Sequence, residues 1–411
     1  MKFLIQKFGG TSVNTPEARE LVALRIIAAK EEGCTPVVVV SAIGRLGEPY
    51  ATDTLINFVR HTYSEISPRE MDLLMSCGEI ISGITLTAAI QKAGHQAIFL
   101  TGAQAGIITD HNFNEARIIK VKPENVIRYA REDKIVIVAG FQGVTEEGDI
   151  TTLGRGGSDT TAAALGVALG AQYVDIYTDV EGIMTADPRI VGEAQTLKMV
   201  TYDEICQLAY EGAKVIHPRA VEIVMQANIP LRVKSIFSNA PGTLVTNLGE
   251  VYKGAIDITR DRVITGITQI SNLTQFKINT EGEENLKQQR RLFSSLALAG
   301  ISLDFINVNS KEVMFTVKEE VAHKASQVLE NVSFAPEVNY GCAKVATVGA
   351  GMSGVPGVMA GIVEALTKEE IQILQANDSY TTIWVLVKQE DMEKAIRALH
   401  RQFVANEKEK R

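Results

Sequence analysis

Thr151-Thr152-Leu153-Gly154-Arg155-Gly156-Gly157-Ser158-Asp159-Thr160-Thr161 follows an apolar run, Ile135-Val136-Ile137-Val138-Ala139, and precedes a small-residue stretch from Ala162 to Ala171. The order predicts a strand, a glycine-rich turn and then a helix. Glycines at such a junction let the backbone come close to a ligand. Ser158 is expected to cap the helix, whose free N–H groups face an anion. Arg155 adds a forked cation suited to a carboxylate or a phosphate. Asp159 sets an acid beside it, so the segment carries both signs of charge. An ordinary polar loop with a good N-cap would use the same residues, so the rest of the chain has to decide.

Working outward, residues 1 to about 245 alternate short β-rich runs with helical stretches. Strand candidates are Phe3–Lys7, Val37–Ser41, Ala97–Leu100, Ile135–Ala139, Tyr173–Thr178 and Leu231–Lys234. Glu17–Lys30, Met71–Lys92 and Tyr202–Tyr210 read as helices between them. This alternation predicts a mostly parallel sheet covered by helices on both faces. Val37–Val40 is apolar without alternation, as a strand buried on both sides requires. Ligands of such sheets gather at the carboxyl ends of the strands. The dense loops Lys7–Val13, Ser41–Asp53, Gly140–Asp159 and Thr178–Arg189 all follow strands.

Beyond Pro241-Gly242-Thr243 the pattern changes. A strand at Thr274–Asn279, a helix near Glu284–Ala299, strands at Ile301–Val308 and Glu312–Lys318, and a helix at Glu319–Asn331 form one unit. Adding about 70 to each number meets the same elements again, ending with a helix at Asp391–Phe403. Two copies of a small β-α-β-β-α module are therefore expected. Periodicity alone does not separate a dimerisation domain from a ligand-sensing pair.

A net charge of −8 argues against nucleic acid or an anionic membrane as the main partner. The 4 cysteines, Cys34, Cys77, Cys206 and Cys342, are scattered without a CxxC pair, which predicts free thiols in a reducing cytoplasm. The chain opens on a strand without a secretory apolar region, and no apolar run is expected to span a membrane.

Lys7-Phe8-Gly9-Gly10-Thr11-Ser12-Val13 puts a cation and a glycine turn between a strand and a helix starting near Thr15, a good phosphate cradle. It is not a Walker A loop, and no protein-kinase catalytic set occurs. Tyr177-Thr178-Asp179-Val180-Glu181-Gly182-Ile183-Met184-Thr185-Ala186-Asp187-Pro188-Arg189 mixes acids with a glycine turn and is suited to a nucleotide or equally to a plain connector. Gly212-Ala213-Lys214-Val215-Ile216-His217-Pro218-Arg219 adds cations, with His217 read as structural. Met75-Ser76-Cys77-Gly78-Glu79 reads as a helix opening, where Glu79 either complements the dipole or binds an ammonium, and Cys77 as a core thiol. Gly349-Ala350-Gly351-Met352-Ser353-Gly354 matches a dinucleotide fingerprint, but Val355-Pro356-Gly357 intervenes before any helix, and the module repeat explains it better.

Together these stretches resemble the aspartate kinase family: the KFGGTSV opening, Ser41-Ala42 with Thr52-Asp53, Gly78-Glu79, LGRGGSDTTAA, the TDVxGIxTADPR stretch, and GAKVxHPRAV at Gly212–Val221, in family order. The tandem modules resemble the two ACT domains that follow the catalytic domain there. The resemblance implies an αβα sandwich with a mostly parallel sheet, the amino acid kinase fold, over residues 1–245. Two ferredoxin-like βαββαβ ACT domains would follow at 262–335 and 341–405. Within the family the chain looks most like the monofunctional, diaminopimelate-regulated type of Gram-positive bacteria. The implied reaction joins L-aspartate and Mg²⁺-ATP to give 4-phospho-L-aspartate and ADP, opening the biosynthesis of lysine, diaminopimelate, threonine and methionine. The carboxylate acceptor is already ionised at neutral pH, so catalysis is expected to rest on positioning and charge neutralisation.

By the same resemblance, Lys7 stabilises the transferring phosphoryl and Asp159 organises the site. Arg155 clamps the α-carboxylate with Gly156, Gly157 and Ser158, while Ser41, Thr52 and Glu79 complete the aspartate pocket. Lys7, Phe8, Gly9, Gly10, Thr178, Asp179, Met184, Arg189, Lys214 and Val215 line the nucleotide. No metal site is expected of the side chains themselves. An end-product effector (diaminopimelate, lysine or threonine) is expected near Met352, Ser353, Val355, Pro356, Gly357, Val358, Gln375, Asn377, Asp378 and Thr381. The loop after Ser41 is longer than the usual family form. In the first module Thr280-Glu281-Gly282-Glu283-Glu284 stands where many relatives carry an aspartate–proline–glycine turn. A homodimer paired through the small modules is the simplest assembly. Other kinases of this fold, acting on acetylglutamate, glutamate or carbamate, and a non-catalytic amino-acid sensor remain as rivals.

Overall fold

The computed structural model describes residues 1–213, 215–247, 263–280, 282, 284–352 and 355–405. Chain contacts divide it into two compact units. The first holds residues 1–184, 196–210 and 215–247; the second holds 185–195, 211–213 and the described residues from 263 onward.

The first unit contains strands β1 (Phe3–Phe8), β2 (Thr35–Val40), β3 (Ala97–Leu100), β4 (Ile107–Thr109), β5 (Ile118–Val121), β6 (Ile135–Ala139), β7 (Gln142–Val144), β8 (Ile150–Thr152), β9 (Tyr173–Thr178), β10 (Met199–Val200), β11 (Leu231–Ser235) and β12 (Thr243–Val245). Its helices are α1 (Pro16–Glu31), α2 (Thr52–Arg60), α3 (Pro68–Lys92), α4 (Glu124–Arg131), α5 (Gly157–Leu169), α6 (Tyr202–Tyr210) and α7 (Pro218–Gln226). The main sheet runs β10-β12-β11-β9-β1-β2-β6-β3 and is parallel except where β11 meets β12. Val37, Val38, Val39 and Val40 are fully buried, the double-sided burial that their unbroken apolar run demands. A second sheet, β5-β4-β7-β8, carries the chain from β6 toward α5. Because β1, β2, β6 and β9 are parallel neighbours, the segments after Lys7, Val40, Ala139 and Thr178 emerge at one end of the sheet.

Helix starts follow local chemistry. Thr15 caps α1 by accepting from the Ala18 N–H at 3.1 Å, with Pro16 in the first turn. Ser67 and Pro68 do the same for α3. α5 departs from expectation. Its N-cap is Gly156, left-handed at φ 70°, and Ser158 lies inside the first turn with no capping bond. α3 starts well before Met75, so Glu79 sits mid-helix and its role cannot be dipole compensation. Cys77 is exposed, on the side of α3 away from the core, rather than a core thiol. α3 is also long and apolar enough, by length and composition, to cross a membrane, contrary to the sequence expectation. Here it is a core helix: Leu86 and Ile90 pack with Val38, Val40, Ile135 and Ile137, and Asp72, Ser76, Glu79 and Ser82 are buried on it.

The second unit contains strands β13 (Gly266–Asn279), β14 (Asp304–Val308), β15 (Glu312–Lys318), β16 (Glu337–Val348), β17 (Gln375–Asp378) and β18 (Thr382–Lys388). Its helices are α8 (Asn285–Leu298), α9 (Glu319–Asn331), α10 (Val358–Lys368) and α11 (Met392–His400). The strands form one antiparallel sheet in the order β14-β15-β13-β16-β18-β17. The two modules are interleaved rather than consecutive. β13 pairs with β16 along its length, with register shifts between Ile270 and Gln275, and only its second half, from Leu273, also pairs with β15 on the other side. Ile264 and Ile267 consequently join the later module's core with Ile362, Val385 and Leu399, while Phe276, Leu292, Phe315 and Leu329 fill the earlier one. Two stretches that the sequence reading gave to the large domain pack here. Ala186 and Val191 belong to the later module's core, and Gly212 lies against Gln269 with no room for a Cβ.

Candidate active site

At the carboxyl end of β1 the chain turns at Gly9-Gly10. A side chain on Gly10 would overlap the Ala42 carbonyl oxygen, so only glycine lets this turn meet the loop after β2. Lys7 is the next-to-last residue of β1, and its Nζ lies 2.7 Å from Asp159 Oδ1 in the first turn of α5, both side chains being nearly buried. α5 reaches this position because Gly140 admits Ser158 and Gly157 admits Phe141, each too close for a Cβ. The Thr161 hydroxyl accepts from the Phe141 N–H at 3.1 Å and ties the helix to the end of β6.

Glu79 approaches from α3. Gly78 lacks the Cβ that would stand 2.7 Å from the Ala42 methyl, so the helix comes close to the Ser41-Ala42 backbone. Glu79 Oε1 accepts from the Ala42 N–H at 3.0 Å; Oε2 has no hydrogen-bond partner among the described residues, and the residue is 2 % exposed. Burial pushes its carboxyl up to about 8, against the smaller opposing effect of the Ala42 hydrogen bond.

One cavity of about 890 Å³ collects these groups. Lys7, Ser41, Thr52, Glu79, Arg155, Gly156, Gly157, Ser158 and Asp159 all line it. Thr52 takes its place as the first residue of α2, despite the longer preceding loop. The walls add residues that sequence reading did not pick: Asp53, Ile56 and Arg60 on α2, Met71 and Met75 on α3, and Asn114, Glu115 and Phe141. Asp72 fixes two of these walls together. Its buried carboxylate accepts from the Asn114 N–H at 2.9 Å and from the Thr152 N–H and hydroxyl at 2.9 and 2.5 Å. Burial raises its pKa, opposed by those hydrogen bonds. Its signal in the sequence is helical spacing: Asp72, Met75, Ser76 and Glu79 share one face of an otherwise apolar helix.

His217 and Arg219 hold the glycine turn from behind. The His217 ring lies where a Gly156 side chain would be, and its Nδ1 accepts from the Arg219 N–H at 3.4 Å at the start of α7. Burial lowers the imidazole pKa, opposed by Asp159 nearby. The Arg219 guanidinium faces the Ala116 and Leu153 carbonyls at 3.4 and 3.5 Å.

The expected nucleotide residues divide differently. Phe8 is fully buried, stacked on Tyr177 at 4.7 Å. Thr178 ends β9 and Asp179 follows it, beside the Gly9-Gly10 turn, and the Thr178 hydroxyl donates to Asp179 at 3.1 Å. Met184 bridges to Thr196, and Val215 is partly buried ahead of α7. Arg189 belongs to the second unit, forking onto Asp187 at 3.0 and 2.7 Å. The TDVEGIMTADPR stretch thus passes from one unit to the other between Met184 and Thr185. Lys214 and Ser353 lie outside the described residues.

Of the expected effector residues, Met352 and Val358 are buried in the later module's core, so their side chains face inward. Gln375 is 6 % exposed and spans from Gln275 to the Phe305 carbonyl at 2.9 and 2.6 Å. Val355, Pro356 and Gly357 form an exposed turn. The Thr381 carbonyl accepts from Gly349 at 2.9 Å, and Asn377 and Asp378 lie on edge strand β17.

The sequence profile of the amino acid kinase family matches residues 2–235, and that of an ACT domain matches residues 337–401. Fold and cavity together define a small-molecule kinase of this class with a regulatory-type tail. Aspartokinase 1 of Bacillus subtilis (strain 168) is 52% identical over 404 residues, 98% of this chain and 99% of that one. The structure of E. coli aspartokinase III with aspartate and ADP (R-state) matches with a TM-score of 0.79 at 26% identity, covering 98% of this chain and 99% of that one. The T-state of the same enzyme with lysine and aspartate matches at 0.74, with 26% identity and the same coverage. The chain belongs to the aspartokinase family, and it is an ATP-dependent kinase that phosphorylates aspartate.

Proposed function

We propose that the chain passes the terminal phosphoryl group of Mg²⁺-ATP to the side-chain carboxylate of L-aspartate, with Lys7 and Asp159 at the point of transfer. A carboxylate oxygen of aspartate attacks the γ-phosphorus. The bond from that phosphorus to the β–γ bridging oxygen breaks, and ADP leaves with the electron pair. No proton has to move, because the acceptor is already an anion. The barrier is the approach of two anions, so the site's work is positioning and charge neutralisation. The observation that carries the reading is the convergence of Lys7, Glu79, Arg155 and Asp159 on one cavity.

In this reading Arg155 pairs with the α-carboxylate of aspartate and Glu79 receives its ammonium. The buried Oε2 of Glu79, unpartnered among the described residues, supports that role, since such an oxygen is costly unless a ligand cation meets it. Gly9 and Gly10 admit the phosphates, and Thr178 and Asp179 flank them. Magnesium arrives as part of the nucleotide, held mainly by phosphate oxygens as is usual for that ion, and lowers the charge on the transferred group.

The ACT modules bind an end-product amino acid, diaminopimelate being our first choice, and a homodimer forms through them in the cytoplasm. The lysine in the T-state E. coli structure, together with the ACT match in this chain, supports effector binding. One assay tests the whole reading: hydroxamate trapping of acyl phosphate with aspartate, acetylglutamate, glutamate or carbamate as acceptor, while diaminopimelate, lysine and threonine are titrated. Product from aspartate alone is expected. Product from another acceptor only would overturn the assignment.

A further inference from the structure

We infer that Arg45 binds the polyphosphate chain of the nucleotide, as a cation reaching in from the long loop after β2. The inference rests on reading the Gly9-Gly10 turn as the seat of those phosphates. β1 lies between β2 and β9, so the loop after β2 and the turn after β9 flank that glycine turn on its two sides. Adjacent strands are about 4.8 Å apart, which puts β2 and β9 roughly 10 Å from one another. Arg45 Nη2 nevertheless reaches Asp179 Oδ2 at 3.3 Å. Arg45 therefore reaches across the end of β1, where the Gly44 N–H beside it already meets the Gly10 carbonyl.

The loop that carries Arg45 is firmly built. The Gly44 N–H donates to the Gly10 carbonyl at 3.3 Å, and Gly44 itself is left-handed at φ 84°. The Arg45 N–H donates to Glu48 Oε2 at 2.5 Å, and the Glu48 N–H returns to the Arg45 carbonyl at 2.9 Å. The Gly47 N–H reaches the Thr54 hydroxyl at 3.0 Å. By contrast the guanidinium is exposed and, among the described residues, pairs only with Asp179, a kind of pair that contributes little to stability. Most of its donors remain available, in the planar fork that suits phosphate oxygens. Charge points the same way. A triphosphate carries several negative charges, more than Lys7 alone offsets, so a second cation on the open side of the phosphates strengthens binding.

Calorimetry on the full chain tests this with Arg45→Ala and Arg45→Lys, titrating Mg²⁺-ATP, adenosine and aspartate. A lost charged hydrogen bond corresponds to about tenfold. R45A is therefore expected to weaken ATP about tenfold and leave adenosine and aspartate unchanged, with R45K intermediate. Unchanged ATP affinity in R45A overturns the assignment, as does an equal loss for adenosine, which would mean that the loop had collapsed. If the parent chain binds no ATP, the reading of the glycine turn falls and this inference with it. If the parent binds ATP and R45A matches it, only the role of Arg45 falls.

Discussion

The ammonium of Lys7, on the central strand, stands 2.7 Å from the carboxylate of Asp159 in the first turn of α5, although 152 positions separate them in the chain (159 minus 7). The pair is nearly dry and lines the cavity, so it is held ready for a charge that arrives from outside. Lys7→Ala is expected to lower kcat by about 10²–10³, the usual cost of removing one preorganised group that stabilises developing charge. Aspartate KM should change far less. Acyl-phosphate trapping measures the first and initial rates the second. Wild-type turnover in this variant would remove Lys7 from the mechanism.

Glu79 sets a pH dependence whose sign is fixed by its burial. Its carboxyl is pushed up to about 8, so the free protein holds the proton at pH 7. An ammonium ligand needs the carboxylate, so kcat/KM for aspartate should rise with pH and level off above about 8. Stability runs the other way. The unfolded chain releases this proton near 4.5 and the folded chain near 8, so stability falls as pH rises between those values. Glu79→Gln should flatten the alkaline rise in kcat/KM, weaken aspartate, and melt higher than the parent at pH 8.5. A parent profile without that rise would argue against an ammonium partner.

Gly156 is left-handed at φ 70°, and any Cβ there would overlap the His217 ring. Gly156→Ala meets two penalties: about 1–2 kcal/mol for the left-handed backbone and a further 1–3 for overpacking, roughly. Arg155 and the start of α5 would shift, so aspartate binding should fail together with stability. His217→Gly clears the steric part and still permits an N-cap. The double variant should therefore lose less than the sum of the singles in urea denaturation, and strict additivity would show that the ring and the turn do not press on each other.

The parallel sheet was legible because its signals are local. Unbroken valines at 37–40 and strand-end glycines each state their own environment. So do Lys7 near the end of β1 and Arg155 and Asp159 in the glycine-rich turn that opens α5. Three things were not legible, each for a physical reason. Glu79 looked like a helix opener because Ser67-Pro68, the true start of α3, follows a polar stretch rather than an apolar one. The role of Asp72 is not legible because an acid on the buried face of α3 does not show that distant backbone, at Asn114 and Thr152, supplies its hydrogen bonds. The interleaving of the two small modules is not legible because Gly266–Asn279 mixes polar and apolar residues without a turn signal, and only its bulge near Asn272 divides it between two cores.

Lys344 supplies a test in the second unit. It lies on β16, 4 % exposed, with Nζ 2.9 Å from Glu211 and 2.7 Å from Asp304. Asp304 is half exposed and can be hydrated without its partner, but Glu211 is as buried as the lysine itself. Lys344→Met therefore leaves a buried carboxylate with no counter-charge, which costs about 3–5 kcal/mol. Removing both charges should recover most of that, because two well-packed apolar side chains replace two desolvated ions at little net cost. Lys344→Met with Glu211→Leu is thus expected to unfold at a urea midpoint close to the parent's, well above that of Lys344→Met alone. A single variant as stable as the parent would mean that Glu211 escapes to water. Residues 211–213 would then not be anchored to the regulatory sheet by this ion pair.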